Sequence, residues 1–282
     1  MAFLAYLGIH IFRALRFDYF FKNRVGFSRF LKIVFLYNFW NQILPFRSGE
    51  LSYLYLVKKN SKKILMGENI ASLVAARIFD TFILALFVLF AAYFIFNNLG
   101  ADFVLSTRLL VGFAVVFAVF IFVIFFNRKL VNIIDKITGK SRISKFRIIK
   151  VFFEKLKEAF LSISAVKSFP GFFVFFGYSV LILFFDFLTM WLMFNSAGLS
   201  VDFWRAAVID AGLIFVIFVL PIQTPVNLGT YEGALVGLFL FFGFEKNLAI
   251  GASILIHLQN IVFAFIFFIS AYLFWIKSVS VK

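Results

Sequence analysis

The chain has 282 residues, of which 63% are hydrophobic, and its 28 lysines and arginines against 13 acidic residues give a net charge of +15. This apolar share is well above the roughly even share of soluble domains, so composition excludes an ordinary soluble protein. Because cysteine is absent, disulfides, thiol catalysis and thiolate metal sites are excluded as well. His10 and His257 are too few for a histidine-rich metal centre, and we predict neither a metal nor a cofactor.

Apolar runs long enough for membrane helices follow one another along the chain. We predict a first helix over residues 1–17 and spanning helices over residues 70–96, 104–126, 172–194 and 248–276. The predicted fold class is therefore an all-α polytopic integral membrane protein, formed by a single transmembrane domain over residues 1–282.

Two further apolar segments are interrupted near their middle. Residues 31–57 contain the break QILPFRSGELS, and residues 203–243 contain PIQTPVNLGTYEG. Proline removes a backbone donor and ends a helix, whereas glycine permits a sharp return of the chain. Free backbone groups at the ends of the resulting half-helices could hold an anion or order a lipid headgroup. The predicted hairpin-breaking residues are Pro45, Gly49, Pro221, Pro225 and Gly229.

The positive charge is concentrated in one loop. Residues 127–168 hold eleven lysines and arginines against three acidic residues, a net charge of +8. Apolar residues recur there at spacings of three and four, which predicts an amphipathic helix lying on anionic headgroups at the cytoplasmic face. A protein-docking helix is the alternative. This placement favours membrane lipids as partners and argues against nucleic acid.

Cation-rich loops mark the cytoplasmic side of a membrane protein. Such loops occur at residues 16–32, 58–63, 128–167 and 277–282, so we predict a multi-pass protein of the cytoplasmic membrane with loops 58–63 and 127–168 inside. Residues 31–57 then begin and end on the cytoplasmic side, and residues 203–243 begin and end on the outer side. Each broken segment is therefore predicted to be a re-entrant hairpin, one from each face.

A shift of 180 residues places the two breaks on each other. It aligns Pro45 with Pro225 and Gly49 with Gly229, and it aligns Arg77 with His257 and Asp80 with Asn260. We predict two inverted helix–re-entrant hairpin–helix repeats, about residues 1–97 and 170–277, joined by a linking helix and the basic amphipathic loop at about 103–168. Transporters built from inverted repeats bind their substrate near the bilayer midplane, between broken helices.

Three ordered motifs carry a resemblance to a known family. They are NFWNQILPFRSGELSYLYLVKKN at residues 38–60, ENIASLVAARIFDTFILALF at 68–87 and LPIQTPVNLGTYEGALVGLFLFFG at 220–243. They resemble the Asn…Pro-x-Arg-x-Gly-Glu element, the Arg-x-x-Asp helix and the Pro…Gly-x-x-Glu element of the lysylphosphatidylglycerol synthase transmembrane region, a flippase-like domain. HIFRALRF, near the start, is similar to the Arg-x-x-Arg helix that precedes the first hairpin of that family.

The resemblance implies movement of a lipid headgroup across the bilayer, with a phospholipid or a polyprenyl-phosphate-linked lipid as substrate. The aminoacyl-transferase domain of the full-length synthases has no counterpart in these residues, so lysine transfer is not implied. The chain begins where the second helix of the family usually lies, and we expect that an N-terminal helix is missing. The second Pro-Gly-Glu element is also less glycine-rich than usual.

Charged and polar residues at membrane depth are the candidate substrate-binding residues, because burying a charge at the bilayer centre costs about 2.5–3.5 kcal/mol on insertion scales. An arginine suits a lipid phosphate, since its planar fork meets two phosphate oxygens. The candidates are Arg47, Glu50, Arg77, Asp80, Asn227, Glu232 and His257.

Each candidate also has a purely structural interpretation. Arg77 and Asp80 could pair with each other at i and i+3, and Arg47 could extend to the cytoplasmic surface. Glu50 and Glu232 each follow a hairpin glycine and could cap the returning half-helix. His257 could be a hydrogen-bonding residue between helices. Asp186 is an unexplained intramembrane charge, which could pair with Arg13 or Arg205 or be held neutral.

The leading functional prediction is a lipid translocase that moves an anionic headgroup through a groove between the two hairpins. A secondary transporter of an ion or small solute is the main alternative, because inverted repeats also build such proteins. A membrane enzyme acting on a lipid phosphate is less favoured, since the sequence has no metal-ligand cluster and no Ser/His/Asp set in a suitable place. We predict that the chain is not an enzyme; its oligomeric state, lipid and direction of transport stay open.

Overall fold

The computed structural model describes residues 1–44, 49–61, 64–98, 118, 169–219 and 224–279. These residues form eight α-helices and one short 3-10 helix, and none of them forms a β-strand. In chain order the helices are α1 (Ala2–Phe20), α2 (Phe27–Ile43), α3 (Gly49–Asn60), α4 (Met66–Asn98), α5 (Phe169–Ser196), α6 (Phe203–Val219), the 3-10 helix Pro225–Asn227, α7 (Thr230–Phe241) and α8 (Lys246–Val279).

The all-helical class predicted from the apolar runs is confirmed for the described residues. The first helix and the apolar segments at 70–96, 172–194 and 248–276 correspond to α1, α4, α5 and α8, each extended by a few residues. Both interrupted segments are broken where proline and glycine predicted it. The predicted helix at 104–126 and the basic amphipathic loop at 127–168 lie outside the described residues.

Three described helices are long and apolar enough to cross a membrane. They are Met66–Ala91 within α4, Pro170–Ser196 within α5 and Lys246–Leu273 within α8. Only about a third of each is buried inside the protein, at 33%, 28% and 33%. Most of the remaining residues are apolar and are partly or fully exposed, and lipid is the environment that suits such surfaces. The exposed residues of α8 include Ile254, Leu258, Phe265 and Ile269.

Each of the two broken segments forms a longer helix followed by a shorter one. α2 and α6 have 17 residues each, and α3 and α7 have 12 residues each. At a rise of about 1.5 Å per residue, a 12-residue helix is about 18 Å long, too short for a hydrocarbon core of about 30 Å. α2 packs against α3, and α6 packs against α7. The second helix of each pair is therefore too short to cross the membrane by itself.

Glycine permits the tight return of the first pair. A Cβ on Gly49 would clash with the backbone of Asn41 at the end of α2. In the second pair Gly229 precedes α7 with φ +80°, in the left-handed region that glycine adopts without strain. The two glycines thus serve the same purpose by different means: one allows close approach and the other allows an unusual backbone angle.

The shift of 180 residues also relates the helix boundaries. It moves the start of α3, Gly49, to residue 229, one residue before the start of α7. It moves the start of α4, Met66, to residue 246, where α8 begins. The shift therefore relates the starts of two helices in each half, α3 and α4 in the first and α7 and α8 in the second.

By their contacts, the residues group into two compact units. Unit 1 comprises Met1–Asp18, Asn23–Asn60 and Leu181–Lys282, and unit 2 comprises Tyr19–Lys22 and Ser61–Val180. The core of unit 1 joins residues of α5 to α8, including Phe194, Ile209, Phe239 and Ile256. In unit 2, the Phe79 ring of α4 lies 5.4 Å from that of Phe175. Unit 1 contains both helix pairs, and α4 with its Arg77 and Asp80 belongs to unit 2.

Candidate functional site

A polar cavity lies within unit 1, at a depth where the surrounding helices are otherwise apolar. Its volume is about 220 Å³. Side chains come from α1, α2, α5, α6, the 3-10 helix, α7 and α8, so both helix pairs contribute. The polar lining residues are Tyr6, Arg13, Asn38, Gln42, Asp186, Asp210, Asn227, Tyr231, His257 and Asn260.

The polar residues of the cavity lie many residues away from the ends of the membrane helices. Asp186 is ten residues from the end of α5 at Ser196, and His257 is eleven residues from the start of α8 at Lys246. At about 1.5 Å per residue, each side chain is roughly 15 Å along its helix from that end. Half of a hydrocarbon core of about 30 Å is the same distance, so each group lies near the middle of a helix that is long enough to span a membrane.

Two amides of α2 hold the hydroxyl of Tyr6. Asn38 Nδ2 donates to Tyr6 Oη at 2.7 Å, and Gln42 Nε2 donates to the same oxygen at 2.9 Å. Since both lone pairs of the oxygen are then occupied, the O–H of Tyr6 remains as a donor for a neighbouring acceptor or a bound ligand. The first helix pair therefore positions a hydrogen-bond donor of α1 at the cavity wall.

A second cluster joins the other helix pair to α8. His257 Nδ1 lies 2.7 Å from Glu232 Oε1, so the Nδ1–H tautomer donates to the carboxylate. The Glu232 Oε2 atom accepts the backbone N–H of Gly229 at 2.7 Å, which caps α7. The Tyr231 ring stacks on the His257 ring at 4.5 Å, and Asn260 Nδ2 donates to Tyr231 Oη at 3.0 Å. One carboxylate thereby fixes both the start of α7 and the position of a histidine on the cavity wall.

The turn before α7 is strained. Val226 has φ 58° and Asn227 has φ 56°, both in the left-handed region, and both residues line the cavity. Asparagine enters this region readily, whereas a β-branched valine does so at a cost of order 1–3 kcal/mol. The Thr224 hydroxyl donates to the Leu228 carbonyl at 2.6 Å and helps to hold the turn. Strain of this kind is often found at binding sites.

Charged residues of three helices face the cavity. Arg13 of α1 is its one cation among the described lining residues, and Asp186 of α5 and Asp210 of α6 are carboxylates. Of the two arginines considered as partners of Asp186, the structure therefore places Arg13 at the same cavity. Arg205 lies elsewhere, where its guanidinium donates to the Phe242 carbonyl and stands 4.9 Å from the centre of the Phe244 ring.

Comparison with protein families identifies one that accounts for nearly the whole chain. The family described as the lysylphosphatidylglycerol synthase TM region matches residues 1–267. The chain belongs to this family. Neither the comparison with curated proteins nor the comparison with solved structures finds a match. Membership confirms the resemblance seen in the three sequence motifs, and the cavity is thus a feature of a lysylphosphatidylglycerol synthase transmembrane region.

Three residues predicted to bind substrate lie together in this member of the family. Asn227 and His257 line the cavity, and Glu232 accepts a hydrogen bond from His257. Glu232 caps α7 as its structural interpretation predicts, and His257 forms a hydrogen bond between helices. Both structural interpretations are therefore satisfied, and His257 also lines the cavity.

Of the other predicted residues, Glu50 is described within unit 1 and is not among the residues that line this cavity. Glu50 is the second residue of α3, where a carboxylate meets the positive end of the helix dipole. Arg77 and Asp80 are half-buried on the continuous helix α4. Their assignment to a lipid phosphate and their mutual pairing stay predictions. Of the predicted break residues, Pro45 and Pro221 lie outside the described residues, and so does Arg47.

Several cavity residues were not predicted from the sequence. Asp210 is the clearest of them, since it is an ionisable residue in the apolar run WRAAVIDAGLIFV and such residues within membrane segments are functional candidates by default. Tyr6, Asn38 and Gln42 carry no comparable signal, because isolated polar residues in membrane helices usually satisfy structural hydrogen bonds.

Proposed function

We propose that the chain is a membrane lipid translocase, in which an anionic headgroup passes through the polar cavity while its acyl or prenyl tails stay in the bilayer. The supporting observation is the cavity itself: charged and hydrogen-bonding side chains from both helix pairs meet deep within a set of membrane helices. Family membership supports the same proposal, because the matched region is the membrane part of a protein that makes a phospholipid.

The size of the cavity favours a headgroup as its occupant. Its volume of about 220 Å³ is below the roughly 300–1,000 Å³ of pockets that enclose a drug-sized ligand. A whole phospholipid is larger than such a ligand, so only its polar end would fit. Phosphate is the group shared by phospholipids and polyprenyl-phosphate-linked lipids. The Arg13 guanidinium and the Tyr6 O–H are the donors that would bind it.

The proposal includes the predicted topology. The two helix pairs are re-entrant hairpins that enter from opposite faces of the cytoplasmic membrane, as parts of two inverted repeats. The agreement of the starts of α3 and α4 with those of α7 and α8 after a shift of 180 residues, to within one residue, supports a repeat. Alternating access would then result from movement of one half against the other around the fixed cavity.

The proposal also treats the chain as a transporter and not as an enzyme. The contacts of Tyr6, Tyr231 and His257 are hydrogen bonds and ring stacking that hold binding groups in place. Among the described lining residues, no nucleophile is held by a neighbouring base in the manner of a Ser–His pair. A small-solute transporter would use the same cavity with its lateral side closed to lipid, and the experiment below separates the two.

The test is a transbilayer assay with purified protein in liposomes. Trace phospholipids carry a fluorophore on one tail and differ only in their headgroup: phosphatidylglycerol, phosphatidylcholine or phosphatidic acid. A membrane-impermeant reductant destroys the fluorophores of the outer leaflet, and further loss of signal reports lipid movement. We expect the wild type to move the anionic lipids faster than protein-free liposomes do.

The matched variants are Arg13→Gln, at the cavity, and Arg29→Gln, at an exposed position of α2. Loss of a charged phosphate contact worth about 1.5–3 kcal/mol would slow transport at least tenfold in the first variant. The second variant should keep the wild-type rate. A wild type that moves none of the three lipids above background would refute the translocase, and uptake of a radiolabelled solute by the same liposomes would then identify a solute transporter.

A further inference from the structure

A buried carboxylate of the cavity has an oxygen without a partner. Asp210 is 3% exposed, and its Oδ2 atom has no hydrogen-bond partner among the described residues. The residue lies at the eighth position of the 17-residue helix α6, and its side chain lines the cavity. An ionised carboxylate buried without a partner is so unfavourable that such a group normally takes up a proton or binds a cation.

A second carboxylate acts on the first. Asp186 of α5 lines the same cavity, and its charge interacts with that of Asp210. Two like charges in a poorly solvated site disfavour each other's ionised form, so the pair readily holds one proton between its two members. The other titratable or charged side chains that face the cavity are Tyr6 and Arg13 of α1, Tyr231 of α7 and His257 of α8.

We propose that Asp186 and Asp210 form a proton-binding pair, and that uptake of one proton by this pair allows an anionic headgroup to enter the cavity. The proton comes from water in the cavity, converts one carboxylate into a carboxylic acid, and returns to water when the headgroup leaves. The proton site rests on the geometry of the cavity. Its coupling to lipid rests in addition on the proposed translocase function.

The charges of the cavity explain the coupling. With both carboxylates ionised, Asp186, Asp210 and Arg13 give the described lining residues a formal charge of −1, which repels a phosphate. With one proton bound this charge is zero, and Arg13 can face the phosphate without competition from two carboxylates. Because linkage is reciprocal, a headgroup that binds more tightly to the protonated cavity also makes the cavity bind its proton more tightly.

A proton fits this pair better than a metal cation does. In transporters, backbone carbonyl groups of unwound helix segments coordinate the sodium ion. Asp186 and Asp210 both lie inside continuous helices, whose carbonyl groups are used in the helical hydrogen bonds. The helical backbone around the pair therefore offers no free carbonyl ligand, and the described residues contain no group of three or more histidine or carboxylate side chains that could hold a metal ion. A proton needs only one carboxylate oxygen.

The first test observes the proton directly. Infrared spectra of the purified protein at pH 7 should show the carbonyl stretch of a protonated carboxylic acid, because exposed carboxylates, with pKa values near about 4, are ionised there. Asp210→Asn should lose this band, and the exposed matched control Asp202→Asn should keep it. In Asp186→Asn the band should disappear at a lower pH than in the wild type, since the like charge is gone.

Three results would overturn the proton site. They are a wild type without the band at pH 7, a band that persists in Asp210→Asn, and a band whose pH dependence is unchanged in Asp186→Asn. A wild-type spectrum that responds to sodium ions and shows no protonated carboxyl would assign the pair to a metal cation instead.

The second test needs no variant and addresses the coupling. Calorimetric titration of the wild type with short-chain phosphatidylglycerol, in buffers of different ionisation enthalpy and at a pH above that at which the infrared band disappears, should show uptake of one proton per lipid bound. In liposomes, acidification should raise the transport rate by up to about tenfold per pH unit, the limit for a single proton. Binding without proton uptake would overturn the coupling.

The two proposals can fail separately. A wild type that moves no lipid but shows a band lost in Asp210→Asn would refute the translocase and leave the proton site in place. A wild type that moves anionic lipid at a rate independent of pH, without the band, would refute the proton site and leave the translocase.

Discussion

Replacing Glu232 by alanine would remove two hydrogen bonds made by one carboxylate. Its Oε2 atom accepts the Gly229 N–H, and its Oε1 atom accepts from His257 Nδ1, both at 2.7 Å. The His257 side chain is 7% exposed and that of Glu232 is 20% exposed, so water can replace these partners only in part. We therefore expect Glu232→Ala to destabilise the second helix pair.

The size of the effect follows from the two contacts. The capping bond is exposed, and loss of such a cap costs about 1 kcal/mol. The bond to His257 is partly buried and involves a charged group, for which about 2 kcal/mol is typical. The free energy of unfolding should therefore fall by about 3 kcal/mol in Glu232→Ala. Unfolding by dodecyl sulfate in mixed micelles, followed by the fluorescence of the four tryptophans, measures it.

The matched control is Glu245→Ala, an exposed glutamate whose Oε1 accepts from Asn247 at 3.3 Å. It should change the free energy of unfolding by no more than about 0.5 kcal/mol. A double-mutant cycle with His257→Ala should give a coupling energy of about 2 kcal/mol, within the range seen for contacting residues. If Glu232→Ala resembles the control, or if the cycle gives no coupling energy, the proposed connection between α7 and α8 is wrong.

Three further changes test the helix pairs, the cavity and the strained turn. Gly49→Ala should prevent normal packing of α3, because its Cβ would clash with the backbone of α2. Gly251→Ala, with open space around it, should be tolerated. Equal yields of monodisperse protein from the two variants would contradict this prediction. In the cysteine-free chain, Asn227→Cys should react with an impermeant maleimide, because water in the cavity allows its thiolate to form. Phe265→Cys should not react, because residue 265 is 48% exposed but faces lipid. Equal labelling of the two variants would refute either the cavity or the membrane assignment. Val226→Asn should raise the free energy of unfolding by about 1 kcal/mol, because asparagine tolerates a positive φ; a decrease would show that the valine side chain matters more than the strain.

The order of the helices and the positions of the breaks could be predicted because both depend on local properties. A continuous apolar run long enough to cross a bilayer forms a helix wherever it lies, since lipid offers backbone groups no other partner. Proline and glycine interrupt such a run at their own positions. This reasoning placed the breaks of both helix pairs and the ends of α4 and α8 to within a few residues.

The cavity could be predicted only in part. Asn227, Glu232 and His257 were found because they lie in or beside a recognisable break or a repeat position. Asp186 was noticed as a charge without an explanation, and Asp210 was missed although the same rule for intramembrane charges applies to it.

The amino-acid sequence by itself determined that this chain is a helical membrane protein with two interrupted helices, because hydrophobicity, proline and glycine act over a few neighbouring residues. Only the tertiary structure decided which polar groups meet. Tyr6 of α1 forms hydrogen bonds with Asn38 and Gln42 of α2. Asp186 and Asp210 share a cavity because the second half of α5 packs with α6 in the core of unit 1. These residues are far apart along the chain, and no local pattern specifies their distances in space.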